Sequence, residues 1–168
     1  MKQLLSLLLC LSIIVPSMAK KEQRKQNVFP DGTPISEWFL QTKVVHPDSL
    51  GKKYDLSDYG IESNPHIVQT QKIQKIIDEA AANGGGVIYI PEGIYKSGSL
   101  FFKQGTHLYL SKGATLLGSE NIMDFPLLMT RIEGEYCKYF GALINADGLD
   151  TFTISGKGTI DVMCRLLM

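Results

Sequence analysis

The residues able to do chemistry are few, and most sit where turns are expected. Asp147 and Asp150 stand close together in Asn145-Ala146-Asp147-Gly148-Leu149-Asp150. Two carboxyl groups facing each other across a glycosidic bond can act as its acid and its base. Asp-Gly and Leu-Asp between two short apolar runs, however, have the composition of a turn, so the pair reads as turn formers. Glu133 and Glu135 fall in an expected inserted loop and read as solvated, Asp161 ends an expected strand, and His107 beside Thr106 reads as structural. Gly84-Gly85-Gly86 follows a helical stretch and precedes an apolar run. A phosphate cradle needs the reverse order, with the anion at a helix N-terminus, so these glycines predict a tight helix-to-strand turn. His46, His66 and His107 are scattered, and no histidine or cysteine has the spacing of a zinc site. No residue is therefore assigned a catalytic role, no substrate-binding residue is identified, and neither cofactor nor metal is expected.

Those positions have to be held by elements, and the pattern of the elements is more informative. Asn64 is a suitable N-cap and Pro65 suits the first helical position. Ile67, Ile73, Ile77, Ala80 and Ala81 then recur at helical spacing, which predicts an amphipathic helix over 65–82 that Asn83-Gly84 ends. Beyond it come short β segments at 87–90, 94–96, 99–102, 107–110, 114–117, 142–145, 151–154 and 158–161, with glycine or proline at most joints. They also repeat. Val87-Ile88-Tyr89-Ile90 returns twenty residues later as His107-Leu108-Tyr109-Leu110, and 94–98 returns at the same offset as 114–118. His107 to Gly113 returns forty-four residues later as Thr151 to Gly158, with one extra residue. A period near twenty is that of a coiled ribbon whose turns stack, with Ile88, Ile90, Leu108 and Leu110 in inward columns. The fold class this predicts is all-β, a right-handed parallel β-helix of about three turns, capped at its N-terminal end by the helix. Residues 119–141 break the period and read as an inserted loop.

The ends have a different composition. Met1-Lys2-Gln3, the apolar run 4–15 and Pro16-Ser17-Met18-Ala19 read as a signal peptide over 1–19 cleaved after Ala19, too short to remain as a membrane anchor. Secretion or a periplasmic location follows as an expectation, with no membrane partner after removal. Residues 20–54 read as a leader, in which Phe29, Trp38 and Phe39 are expected to pack rather than to bind. The body, 55–161, is the β-helix, and 162–168 is an apolar tail off the pattern. After cleavage Cys137 and Cys164 remain, expected as two unpaired thiols. Across all 168 residues 17 basic side chains balance 17 acidic ones, so no excess of cations favours nucleic acid.

Asn83 to Tyr95, continuing through Ser97-Gly98-Ser99-Leu100 and Lys112 to Ser119, resembles the N-terminal part of the family-28 glycoside hydrolases of the pectate-lyase-like superfamily. These are the polygalacturonases and rhamnogalacturonan hydrolases. Asp58-Tyr59-Gly60 and Ser155 to Asp161 extend the likeness over about 55–161, and Phe29 to Phe39 looks like the leader of secreted gut-bacterial members. The resemblance implies inverting, metal-free hydrolysis of galacturonide linkages, with pectin or another galacturonide polysaccharide as partner. The carboxylates that the resemblance places in Asn-Thr-Asp and Asp-Asp motifs, and the Gly-His-Gly and Arg-Ile-Lys that follow, do not occur here. Arg131-Ile132-Glu133 has the wrong charge at its third residue. The expectation is thus an inactive N-terminal fragment of a secreted pectin-degrading hydrolase. The alternative is a small secreted carbohydrate-binding or structural β-helix module using Tyr89, Tyr95, Tyr109 or Trp38 as stacking platforms.

Overall fold

A computed structural model describes residues 28–40 and 45–162. The signal segment 1–19 and Cys164 lie outside the described residues. The chain divides into two units, Met1–Thr42 and Lys43–Met168. In the first, Val28 bridges Pro34 around a turn in which Asp31 Oδ1 accepts from the Thr33 N–H, and a 3-10 helix follows at Glu37–Leu40.

The second unit is a coil of short parallel strands. In chain order these are β1 (Lys53–Asp55), β2 (Asn64–Val68), helix α1 (Thr70–Ala82), β3 (Gly86–Ile90), β4 (Gly93–Ser97), β5 (Leu100–Phe101), β6 (Thr106–Leu110) and β7 (Ala114–Gly118). An excursion carries β8 (Leu127–Ile132) and β9 (Glu135–Phe140), and the coil resumes with β10 (Ile144–Asn145), β11 (Ile154–Gly156) and β12 (Thr159–Asp161). Three parallel sheets result, in the orders β1-β3-β6-β11, β2-β4-β7-β12 and β5-β10. This is a right-handed parallel β-helix. β3-β4-β5 and β6-β7-β10 are complete turns, with β1-β2 before them and β11-β12 after.

Alternation along each strand puts one column of side chains inside. Tyr54, Ile88 and Leu108 are in register and fully buried, as are Ile90 and Leu110 beside them. Tyr95 over Leu116 and Leu100 against Ile144 line the other two walls. The predicted offset of twenty holds for β3 on β6, where Val87 meets His107. It fails by one for β4 on β7, where Gly93 meets Ala114 and Ile94 meets Thr115. Ser111-Lys112-Gly113 is one residue longer than Pro91-Glu92, and a slip of one exchanges the faces of a strand. Hence Tyr95 is buried and Ile94 is exposed. On the last turn β11 pairs with β6 at an offset of forty-six, Ile154 on Leu108, while β12 pairs with β7 at forty-four, Thr159 on Thr115.

Two further expectations are corrected. The helix begins at Thr70, not at Pro65. Asn64 does accept the His66 N–H, but as an isolated turn; β-branched Ile67 and Val68 then continue as β2 alongside β4. Residues 119–141 leave the coil as foreseen, yet they form an antiparallel hairpin, from Leu127 opposite Phe140 to Ile132 opposite Glu135. Glu133 and Gly134 both have positive φ, 52° and 95°, which suits the two-residue turn that matches strand twist.

The cap works through both packing and hydrogen bonds. Ile73, Ile76, Ile77 and Ala80 bury one face of α1 in the core. On the same side Gln74 Nε2 donates to the Phe101 carbonyl at 2.9 Å, and its Oε1 accepts the Phe101 N–H at 2.8 Å. One amide side chain thereby takes the place of the strand that β5 lacks on that edge. Thr70 Oγ1 accepts the Gly98 N–H at 2.7 Å, and Lys103 pairs with Asp78 at 2.8 Å. After Ala82 the three glycines, all at positive φ, turn the chain into β3, and a Cβ on Gly85 would collide with the Gly105 carbonyl one turn on.

Candidate functional site

The outer face of the first sheet collects the polar and aromatic side chains that alternate with the core. Asp55, Tyr89, Tyr109 and Ser155 form one row across four strands. The Tyr89 and Tyr109 rings stack at 5.5 Å and 8°, and Lys53 Nζ lies 4.5 Å from the Tyr89 centroid and 3.0 Å from Asp55 Oδ2. Both faces of Tyr89 are thus occupied. Burial alone would raise the Asp55 pKa, but hydrogen bonds from Ser57 and Lys53 outweigh it and hold the carboxyl below its ordinary value. One row over, His107 has its Nδ1 buried without a protein partner, and burial lowers its pKa.

Tyr95 is no platform: it points into the core, and burial raises its pKa. Trp38 is 64% exposed and stacks on Phe39 at 3.7 Å, and Phe29 is also exposed. Asp147 and Asp150 are exposed between β10 and β11, where Gln104 Oε1 accepts the Asp150 N–H. Glu133 and Glu135 lie at the tip of the hairpin, and Asp161 lies on β12. Among the described residues the carboxyls with a displaced pKa, Asp31, Asp55 and Asp78, all have it lowered. Lys103 is the main cause at Asp78, and the Thr33 N–H at Asp31. A general acid needs the opposite displacement, and a carboxylate held by a cation or an N–H is an anchor.

A groove of about 380 Å³ runs between α1 and β5, walled by Thr70, Gln74 and Asp78 on one side and by Asp124 and Pro126 on the other. Its floor holds Ser99, whose Oγ is buried without a protein partner. Thr70, Gln74 and Asp78 are engaged in the cap, and Asp124 accepts from the Ser119 hydroxyl. Among the described residues no group of three His, Cys, Asp or Glu side chains can hold a metal ion. Cys137 is a free thiol on β9, and no helix among the described residues is long and apolar enough to cross a membrane.

Sequence reasoning passed over the hairpin. Arg131, taken only as an echo of a missing motif, braces its turn: Nε donates to the Gly134 carbonyl at 3.1 Å, and the guanidinium lies 6.0 Å from the Tyr136 centroid. The available signal was Glu-Gly between two six-residue runs rich in apolar and aromatic side chains.

Stacked parallel rungs under a helical cap define the class, a right-handed parallel β-helix at its capped end. No family model matches the chain. It is 35% identical over 101 residues to an exo-poly-alpha-D-galacturonosidase of Dickeya chrysanthemi, which covers 60% of this chain and 16% of that protein. It is 36% identical over 127 residues to the plasmin and fibronectin-binding protein A of Streptococcus pneumoniae, covering 73% of this chain and 17% of that one. The solved family 28 exopolygalacturonase of Yersinia enterocolitica superposes on 65% of this chain and 20% of its own, with 31% identity and a TM-score of 0.57. The chain resembles a portion of the family-28 glycoside hydrolases, and its extent is consistent with their N-terminal portion. It spans under a fifth of the length of the curated relatives it matches.

Proposed function

We propose that this chain is the capped N-terminal part of a secreted glycoside hydrolase acting on galacturonide polysaccharides, inactive by itself, with residues 1–19 directing export. The observation that carries the reading is the likeness to the Dickeya galacturonosidase over 101 residues. It is supported by the carboxylates described above: Asp31, Asp55 and Asp78 are engaged as anchors, Glu133, Asp147 and Asp150 lie in turns, and Glu135 and Asp161 lie on separate strands. In this reading α1 seals one end and the first rungs set the register for later ones, which bring the acid and base to the bond. The test is to join the chain to its gene's coding continuation and measure reducing ends released from polygalacturonate. Release by the joined protein and none by the chain alone is expected. Hydrolysis of a neutral polysaccharide in place of polygalacturonate would overturn the reading.

A second reading, a carbohydrate-binding or structural β-helix module, is favoured by the pneumococcal relative, whose name describes binding. Retention of the chain on pectin beads, with no turnover even in the joined protein, would select it.

A further inference from the structure

The hairpin presents two faces of unlike chemistry. Leu127, Met129 and Arg131 on β8 share one face with Phe140, Lys138 and Tyr136 on β9, in opposed pairs. All six are exposed, Tyr136 by 76% and Met129 by 69%. On the opposite face Leu128 and Cys137 are half-buried, a Leu128 methyl lies beside Gly141, and Thr130, Ile132, Glu135 and Tyr139 are exposed. The charges separate in the same way. Arg131 and Lys138 share the open face with no carboxylate, Glu135 is on the other, and Glu133 sits beyond both in the turn.

We propose that the open face is a docking strip for an anionic polysaccharide of uronate units, a proposal that rests on the galacturonide reading above. An aromatic ring such as Tyr136 offers its face to the C–H surface of a sugar, and sugar rings alternate that apolar surface with charge when each carries a carboxylate. A guanidinium pairs with carboxylate through parallel N–H bonds, and the Lys138 ammonium adds a second, more mobile cation one pair along the hairpin. A second copy of the chain suits the face poorly, because a two-fold contact would set its cations against themselves. A neutral glycan would leave both cations without use. The polyanion satisfies the rings and the charges together.

Affinity electrophoresis of the full chain through gels holding polygalacturonate or fully methyl-esterified pectin tests the proposal, with sedimentation of each protein in parallel. Retardation by polygalacturonate alone, weakening as salt rises, is expected. Lys138→Gln, which disturbs no intramolecular bond described above, should weaken it several-fold. Arg131→Gln combined with Lys138→Gln should weaken it about tenfold or more, as for lost hydrogen bonds between charged groups. Tyr136→Ala should weaken it about fivefold, and Glu135→Gln on the far face should not weaken it. Retention of wild-type binding by Lys138→Gln and by the double variant would overturn the strip while leaving the galacturonide reading to the turnover assay. No retardation of the wild-type chain would overturn it likewise. A shift from dimer to monomer in the variants would assign the face to a second copy instead.

Discussion

Single residues in this coil are constrained by the rung above and the rung below more than by their sequence neighbours. Gly156 shows the tightest case: it is at φ +108°, and any Cβ there would run into the Leu110 backbone of the preceding turn. His107 is the residue whose environment makes the clearest statement about pH. Desolvation lowers its folded pKa below 6.5, so the folded state prefers neutral imidazole. The unfolded chain then binds more protons between the folded pKa and 6.5, and stability rises with pH through that window. Its contribution is complete above 6.5 and is lost as the solution is acidified below it. Melting temperatures measured from pH 7.5 down to 5 should fall for the wild type and fall less for His107→Gln. Parallel curves for the two proteins would mean that burial of His107 carries no proton linkage.

Elements depend on whether their open edges are closed, and here the closure of β5 is assigned to one side chain. Removing the Gln74 amide with Gln74→Ala leaves the Phe101 N–H and carbonyl without partners at the capped edge, a loss of about 1–3 kcal/mol for a buried backbone group. Lys75→Ala, next to it on the exposed side, should stay within about 0.5 kcal/mol of wild type. Urea denaturation of both variants checks this, and equal midpoints would show that water replaces the amide. Such a contact could not be foreseen: Gln74 reads as one more polar residue of an amphipathic helix. What was legible was local and periodic. The echo of Val87–Ile90 in His107–Leu110 carried the strand positions, the parallel pairing and the inward column. The start of α1 was misread because Asn64-Pro65 is a sound cap signal whose first turn is overruled by pairing of β2 with β4. The face of Tyr95 was misread because one extra residue in a connecting turn inverts a strand, and a self-comparison at fixed offset does not weigh that residue. The hairpin is not legible from the repeat, because residues 119–141 fall outside its period.

At the scale of the whole molecule the coil is close to one-dimensional, so stability is set by nearest neighbours along the axis and by what covers each end. The column that runs through the first sheet records this directly. Tyr54, Ile88 and Leu108 are at most 1% exposed, whereas Ile154, next in the same column, is 47% exposed. The second sheet repeats the trend, from 0% at Leu116 to 38% at Ile160. Rungs under α1 therefore have a neighbour on both sides, and the β11-β12 rung has one on β6-β7 alone among the described residues. Amide hydrogen exchange on the chain should show protection highest in β3 and β6 and falling toward β11 and β12, because local opening follows the number of buried contacts that must break. Truncations should follow the same gradient. Leu108→Ala opens a cavity inside the stack and should cost about 2–5 kcal/mol, while Ile154→Ala, half in solvent already, should cost under about 1 kcal/mol. Uniform protection along the chain, or equal losses from the two truncations, would mean that the last described rung is covered as well as the first, and that the stack does not open from β11-β12.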